Sequence, residues 1–200
     1  MKRTLIALTA GGILLTGCSP AADDSAADET TEPQAVATIT TTAAAATTTG
    51  TPLNSRGNRE KDFGELSGSG CFDGPGNCAV EWTLGAPIDA TNCSDLDPIE
   101  NGRVIAVPIN VQTGTGQDMG PFNAFFNPYS FSALRGDGVT VPNVSTSVTY
   151  QCDESDSRIP SDLAPASKYE GFIVLDVPSD AQSVIFHPDV SEDGWEWPLT

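Results

Sequence analysis

Apolar and polar residues alternate with a period of two over much of residues 79–187, a pattern that predicts half-buried β-strands. Val80, Trp82 and Leu84 share one face of a first strand, and residues 169–177 are apolar enough for a strand buried on both sides. No stretch carries the i, i+3, i+4 spacing of a helix over three turns. Further strands are predicted at residues 105–111, 131–134, 139–141, 148–152 and 183–187. The pattern therefore predicts an all-β domain, an immunoglobulin-like sandwich of two antiparallel sheets.

The first eighteen residues predict export and a lipid anchor. Lys2 and Arg3 precede an apolar run at residues 4–15, which is too short to span a bilayer about 30 Å thick but suits a signal-peptide core. The run ends in Leu-Thr-Gly-Cys at residues 15–18, which resembles the lipobox of bacterial lipoproteins. The resemblance implies cleavage after residue 17 and acylation of Cys18, with diacylglycerol and palmitate-like chains holding the protein on the extracytoplasmic face of the cell membrane. An ordinary secretory signal containing a cysteine is the alternative.

Residues 18–62 are rich in Ala, Thr, Pro and acidic residues and contain little that could enter a core. This composition is typical of a disordered tether. We therefore expect three parts: a signal peptide at residues 1–17, a lipidated tether at 18–62 and a folded domain at 63–200.

Four cysteines remain when Cys18 is lipidated, and an even number outside the cytoplasm indicates two disulfide bonds. Three pairings are possible. We favour Cys71–Cys78, which closes a small glycine-rich loop, and Cys93–Cys152, which ties an early loop to the middle of the domain. A zinc site is a poor alternative, because the chain has no Cys-x-x-Cys pair.

Several short motifs occur in the order found in one family of extracytoplasmic domains. They are the strand at residues 104–111, the Pro-Tyr-Ser-Phe-Ser-Ala-Leu segment at 128–134, Leu-Ala-Pro at 163–165 and Gly-Phe-Ile-Val-Leu-Asp-Val-Pro at 171–178. Over residues 79–188 the chain resembles the telokin-like, immunoglobulin-like lipoprotein domains called DUF4352. Ala166 and Leu175 depart from that pattern, in which glycine and phenylalanine are usual. The resemblance implies a β-sandwich on a lipid anchor without an assigned enzymatic activity.

The charge of the chain limits its partners. Twenty-seven acidic residues against nine basic ones give a net charge of −18. Such a chain is repelled by nucleic acid phosphates and by anionic bilayer surfaces, so we expect a neutral or cationic partner and no nucleic acid. The one histidine, His187, excludes any site built on two.

Two sets of residues are candidates for a site. Asp95 and Asp97 in one loop and Asp153 and Asp156 in another could form a weak calcium site, brought together by the Cys93–Cys152 bond. A solvated acidic surface is the simpler interpretation of these clusters. Trp195 and Trp197 could share one face of a strand and form a binding patch, or they could close the core. No cofactor is predicted.

These features predict a lipid-anchored extracytoplasmic binding or interaction protein of the bacterial envelope, and not an enzyme. Its partner could be a protein, an envelope polymer or a small ligand. A hydrolase of envelope material would instead require two carboxyls about 5 to 10 Å apart over an open groove. A weak calcium-binding structural lipoprotein is the third hypothesis.

Overall fold

The computed structural model describes residues 52–72, 76–95 and 97–199. Cys18 and the tether up to residue 51 therefore lie outside the described residues. Within them the chain forms ten strands, four short 3₁₀ helices and no α-helix. No helix in this part of the chain is long and apolar enough to cross a membrane. The strands are β1 (Asn58–Glu60), β2 (Ser67–Cys71), β3 (Cys78–Leu84), β4 (Ile88–Asp89), β5 (Gly102–Thr113), β6 (Phe131–Arg135), β7 (Thr140–Val141), β8 (Lys168–Pro178), β9 (Ala181–Phe186) and β10 (Gly194–Pro198).

The strands form two sheets, as the alternation predicts. The first sheet has the order β1-β10-β9-β6-β7, and only its β1–β10 pair is parallel among the described strands. The second is built around β5, which pairs with β3 and β4 on one edge and with β8 on the other, while β2 pairs with β3. The two sheets pack face to face, so the all-β sandwich is confirmed.

The longest pairing joins β5 and β8, with β5 residues 102–112 opposite β8 residues 168–178. Ile105, Val107, Ile109 and Val111 of β5 enter the main core between the sheets. The alternate side chains Val104 and Ala106 enter a second, smaller core on the outer face. Residues 104–107 of β5 are therefore buried on both faces, which explains the continuous apolar run there.

Trp82 lies at the centre of the main core. Its ring makes edge contacts with Phe186 of β9 and Trp195 of β10, at centroid distances of 5.7 and 4.8 Å. It makes similar contacts with Phe125 and Phe126 in the connection between β5 and β6. One ring thus joins both sheets and this connection.

Both favoured disulfide bonds are present, Cys71–Cys78 and Cys93–Cys152. The strand predicted at residues 148–152 is wrong, because Ser147–Tyr150 and Asp153–Ser157 are 3₁₀ helices. Val148 and Cys152, which the alternation placed on one strand face, both pack instead into the small outer core over Val104 and Ala106.

The folded domain begins before residue 63, contrary to the predicted boundary. Residues 58–60 form β1 beside β10, and the buried carboxylate of Glu196 binds this segment. Glu196 accepts hydrogen bonds from Arg56 at 2.5 Å, Asn54 at 2.9 Å, Asn58 at 3.2 Å and Ser183 at 2.8 Å. Desolvation raises the pKa of Glu196, but these donors outweigh it and lower the pKa overall.

Glu196→Gln is expected to destabilise the domain at pH 7 by about 2 kcal/mol, because hydrogen bonds to an ionised carboxylate are lost. The folded-state pKa lies below the unfolded value of about 4.3. The contribution of Glu196 is therefore complete above that value and is lost as the pH falls through the lower, folded pKa. Urea denaturation at pH 7 and pH 3 should show a gap between wild type and variant that shrinks in acid. Glu192→Gln, on an exposed side chain nearby, is the control; an equal loss in both variants contradicts the assignment.

The two disulfide bonds should differ in their effect on stability, because they join residues 59 and 7 positions apart. On the chain-entropy account, Cys93→Ser with Cys152→Ser costs about 4 kcal/mol and Cys71→Ser with Cys78→Ser about 2.5 kcal/mol. Denaturant titrations of the two double variants measure the difference. A larger loss for the short loop would contradict this ranking.

Candidate binding cavity

A cavity of about 420 Å³ opens between the β5–β6 connection, the segment before β8 and the middle of β8. We call it the tyrosine cavity. Its walls are Ala124, residues 126–129, Tyr150, residues 158–161 and residues 172–173. Its volume lies within the range of small-molecule sites, and aromatic walls with a few polar groups are typical of such sites.

The first wall is positioned by the core and by a turn. Phe126 is buried against Trp82 and also faces the cavity. Ala124 takes up a left-handed backbone conformation (φ 54°), and its N–H donates to the carbonyl of Ser161 at 2.9 Å. This bond joins the first wall to the segment that precedes β8.

Beyond it, an Asx turn presents an aromatic ring to solvent. The side chain of Asn127 accepts a hydrogen bond from the backbone N–H of Tyr129 at 3.0 Å, and Pro128 begins the 3₁₀ helix Pro128–Ser130. The Tyr129 side chain is left 66% exposed at the mouth of the cavity. The turn thus holds an exposed ring on a fixed backbone.

The opposite wall depends on a glycine in β8. Arg158 forms a parallel bridge with Phe172. A Cβ atom on Gly171 would lie 2.2 Å from the carbonyl oxygen of Ser157, so this backbone approach is possible only without a side chain at residue 171. Gly171 therefore determines where Arg158 lies.

Tyr150 and Arg158 form the polar end of the cavity. The Arg158 guanidinium lies 4.5 Å from the centre of the Tyr150 ring, a cation–π contact. The Tyr150 hydroxyl is 2.8 Å from the hydroxyl of Ser145. Desolvation and the neighbouring Tyr129 raise the pKa of Tyr150. The phenol is therefore neutral at physiological pH and can donate or accept a hydrogen bond.

A buried carboxylate binds the chain segment that leads to this end of the cavity. Asp176 of β8 is fully buried and accepts hydrogen bonds from the Thr146 hydroxyl at 2.9 Å and the Glu100 N–H at 2.8 Å. Thr146 is adjacent to Ser145, which contacts Tyr150. Asp176 thus holds the segment that leads into the cavity wall.

A second cavity of about 240 Å³ shares Ala124, Asn127 and Tyr129 with the first. His187 and Asp189 also line this second cavity. The two cavities therefore adjoin at the segment that contains Asn127 and Tyr129.

The tryptophans proposed as a binding patch belong to the core. Trp195 is 3% exposed and Trp197 is 0% exposed, and both pack in the main core. They share one face of β10, as predicted, but that face is turned toward the other sheet. The binding interpretation of Trp195 and Trp197 is therefore wrong.

The two acidic loops come together across the Cys93–Cys152 bond, but their carboxylates bind protein donors. Glu154 accepts hydrogen bonds from the N–H and the hydroxyl of Thr91, and Asp153 accepts one from the Asn92 amide at 2.6 Å. Desolvation raises the pKa of Glu154, but the Thr91 bonds outweigh it and lower the pKa.

Of the calcium candidates, Asp97 accepts a hydrogen bond from Gln151, while Asp95 and Asp156 are exposed. Across the described ranges, no three His, Cys, Asp or Glu residues are grouped so that they could hold a metal ion. Asp97, Asp153 and Glu154 thus join the two loops.

A polar cavity of about 720 Å³ near the N-terminal segment contains several carboxylates, among them Glu60, Glu65 and Glu196. Glu65 is paired with Lys61 at 2.5 Å, and Glu196 with Arg56. The Lys61 contact lowers the pKa of Glu65, as the donors described above lower that of Glu196. Both pKa values are lowered, whereas the general acid of a glycosidase has a raised pKa.

The sequence did not predict the tyrosine cavity. Its residues come from four separate stretches of the chain, and no local pattern shows that these stretches meet in the fold. A cation, Arg158, following the acidic run Asp153–Ser157 was the one local irregularity that could have drawn attention to it.

No protein-family model and no curated protein matches the chain. The telokin-like lipoprotein family suggested by the sequence is therefore not shown. Among solved structures, the chain is similar to a secreted protein of Mycobacterium tuberculosis, MPT63, with 14% sequence identity and a TM-score of 0.47. The similarity covers 70% of this chain and 97% of that chain.

Gly171→Ala should separate Ser157 from β8 and displace Arg158, at a cost of about 1 to 3 kcal/mol. Chemical denaturation measures the loss. Gly136→Ala is the matched control, because its Cβ would make only ordinary contacts, 3.4 Å to the end of the Gln182 side chain and 3.7 Å to the Asp180 carbonyl. There we expect no loss or a gain of a few tenths of a kcal/mol. Equal stability of both variants would show that the Gly171 contact is unimportant.

Proposed function

We propose that the chain is an exported lipoprotein, anchored through Cys18 on the extracytoplasmic face of the membrane, whose β-sandwich binds a ligand in the tyrosine cavity. The lipobox-like residues 15–18 and the apolar run before them support export and lipidation. The two disulfide bonds fit an oxidising compartment.

One observation carries the binding role: the exposed ring of Tyr129 lies at the mouth of a concave cavity whose walls include the rings of Phe126, Tyr150 and Phe172. Exposed aromatic side chains held by a rigid turn lose little conformational entropy when a ligand covers them. Phe126 and Phe172 extend the apolar wall inward, and Asn127, Tyr150 and Arg158 add hydrogen-bonding groups. Apolar walls with a few fixed polar groups are the usual means by which a site binds and orients a small ligand.

The chemistry of the walls favours binding without catalysis. As far as the described residues show, the lining of the tyrosine cavity contains no carboxylate, imidazole or thiol. General acid–base catalysis most often uses a histidine or a carboxyl within hydrogen-bond reach of the reacting atoms. We therefore propose an anchored receptor or carrier rather than a hydrolase.

The predicted tether sets how far the domain can lie from the membrane. Residues 19–51 separate Cys18 from the described part of the chain, and a coil of that length spans roughly 30 Å. The cavity could then meet envelope components beyond the lipid surface, while the acidic domain is repelled by anionic headgroups.

In-cell photo-crosslinking tests this function. A benzophenone amino acid at Tyr129 in the anchored protein should capture a recurring ligand. The same group at Val139, an exposed residue of the β6–β7 turn, should capture none. With Cys18→Ala, the protein should leave the membrane fraction and the adduct should diminish. Equal adducts from residues 129 and 139 would overturn the cavity as the binding site, and membrane retention of Cys18→Ala would overturn the anchor.

A further inference from the structure

We propose that the tyrosine cavity binds a singly charged carboxylate carried on a six-membered ring, with Arg158 binding the carboxylate and Tyr129 packing against the ring. This inference rests on the proposed function and adds the chemical class of the ligand. It reverses, for this site alone, the expectation of a neutral or cationic partner that the net charge suggests.

The first support is the charge of the walls. Arg158 is the one charged residue lining the tyrosine cavity among the described residues, in a chain whose net charge is −18. Four other cations of the domain are paired with carboxylates: Arg56, Arg59, Lys61 and Arg135. No carboxylate of the described residues lies within ion-pair distance of Arg158. Arg103 and Lys168 also lack such a pair, but neither lines this cavity.

The second support is the unsatisfied hydrogen-bonding capacity of Arg158. Its Nε atom is buried and has no hydrogen-bond partner in the structure. Its Nη2 atom makes one long contact, 3.5 Å to the carbonyl of Tyr150. A guanidinium carries five N–H donors, and a buried donor without a partner is costly. A ligand oxygen in the cavity would give the Nη donors of Arg158 a partner.

The geometry favours a carboxylate over other anions. The contact with Tyr150 holds the guanidinium at the cavity, and its planar fork of donors matches the two oxygens of a carboxylate. The negative domain repels a ligand in proportion to its charge, so a monoanion is repelled less than a doubly charged phosphate. A monoanion therefore pairs with Arg158 at short range while the net charge of the domain repels it least.

The ring requirement follows from Tyr129. Its side chain is two-thirds exposed, and it lines the same cavity as Tyr150, whose ring contacts Arg158. A ring packed against Tyr129 would therefore bring a substituent toward the guanidinium. Aromatic rings and sugar rings both stack on tyrosine, so an aromatic acid and a uronic acid share this chemistry.

Calorimetric titration of the full mature chain in detergent, at constant ionic strength, tests the inference with four probes. Benzoate and glucuronate carry the carboxylate, and benzamide and glucose are their uncharged counterparts. We expect at least one acid to bind at least tenfold more tightly than its counterpart. The acid that does so identifies an aromatic or a sugar ring as the source.

Variants assign the effect to its residues. Arg158→Gln should abolish the preference for the acid, whereas Arg135→Gln, which changes the net charge equally at a distant turn, should leave it unchanged. Tyr129→Ala should weaken the acid and its counterpart alike. If Arg158→Gln does not fold, Arg158→Lys should keep binding but reduce the preference severalfold, because the planar fork is lost.

Two results would overturn the inference. Equal binding of an acid and its uncharged counterpart would refute carboxylate recognition but leave the cavity as a binding site. Failure of all four probes would refute the ring-acid ligand. The crosslink from residue 129 would then show independently whether the proposed function fails as well.

Discussion

The aromatic contacts of Trp82 are the interaction on which the rest of the domain depends. This ring in β3 touches Phe186 and Trp195 of the opposite sheet and Phe125 and Phe126 of the β5–β6 connection. Aromatic pairs of this kind add to the free energy gained by burying large side chains. Because Phe126 also forms a wall of the tyrosine cavity, the contacts that hold the sheets together also determine the shape of the site.

The hydrophobic pattern predicted the strands whose stability comes from burial, such as β5 and β8. A strand between two cores carries apolar residues on both faces, which gives a nearly continuous apolar run. The pattern did not predict β1. Asn58 and its neighbours are polar, and they are held by hydrogen bonds to Glu196, which lies 138 positions further along the chain. It also misassigned residues 148–152, where Val148 and Cys152 are buried by a 3₁₀ helix and a disulfide bond. A local pattern cannot distinguish these cases, because the deciding partners are remote in sequence.

The candidate site was less predictable than the fold, for the same reason. Trp195 and Trp197 were considered for binding because they share one strand face, which could be exposed or buried, and the opposite sheet covers them. The sequence did not predict Tyr129 or Tyr150 as binding residues. No local pattern shows that a turn exposes Tyr129 or that a guanidinium lies against Tyr150. Among the predicted site residues, only the cysteines have the arrangement that the sequence analysis favoured, because four cysteines allow only three pairings.

The acidic loops explain why Arg158 keeps its charge available. Asp153 and Glu154 precede it closely in the chain and could have neutralised it, but they bind Asn92 and Thr91 instead. Those two residues are held beside them because the disulfide bond joins Cys93 to Cys152. The disulfide bond thus holds Asp153 and Glu154 beside Thr91 and Asn92, while Arg158 lines the cavity. A long-range negative field and a short-range positive site can coexist in this domain because charges beyond about 10 Å are screened, whereas a contact inside the cavity is not. Selectivity for an anion then depends on the arrangement of one cross-linked segment and not on the net charge of the chain.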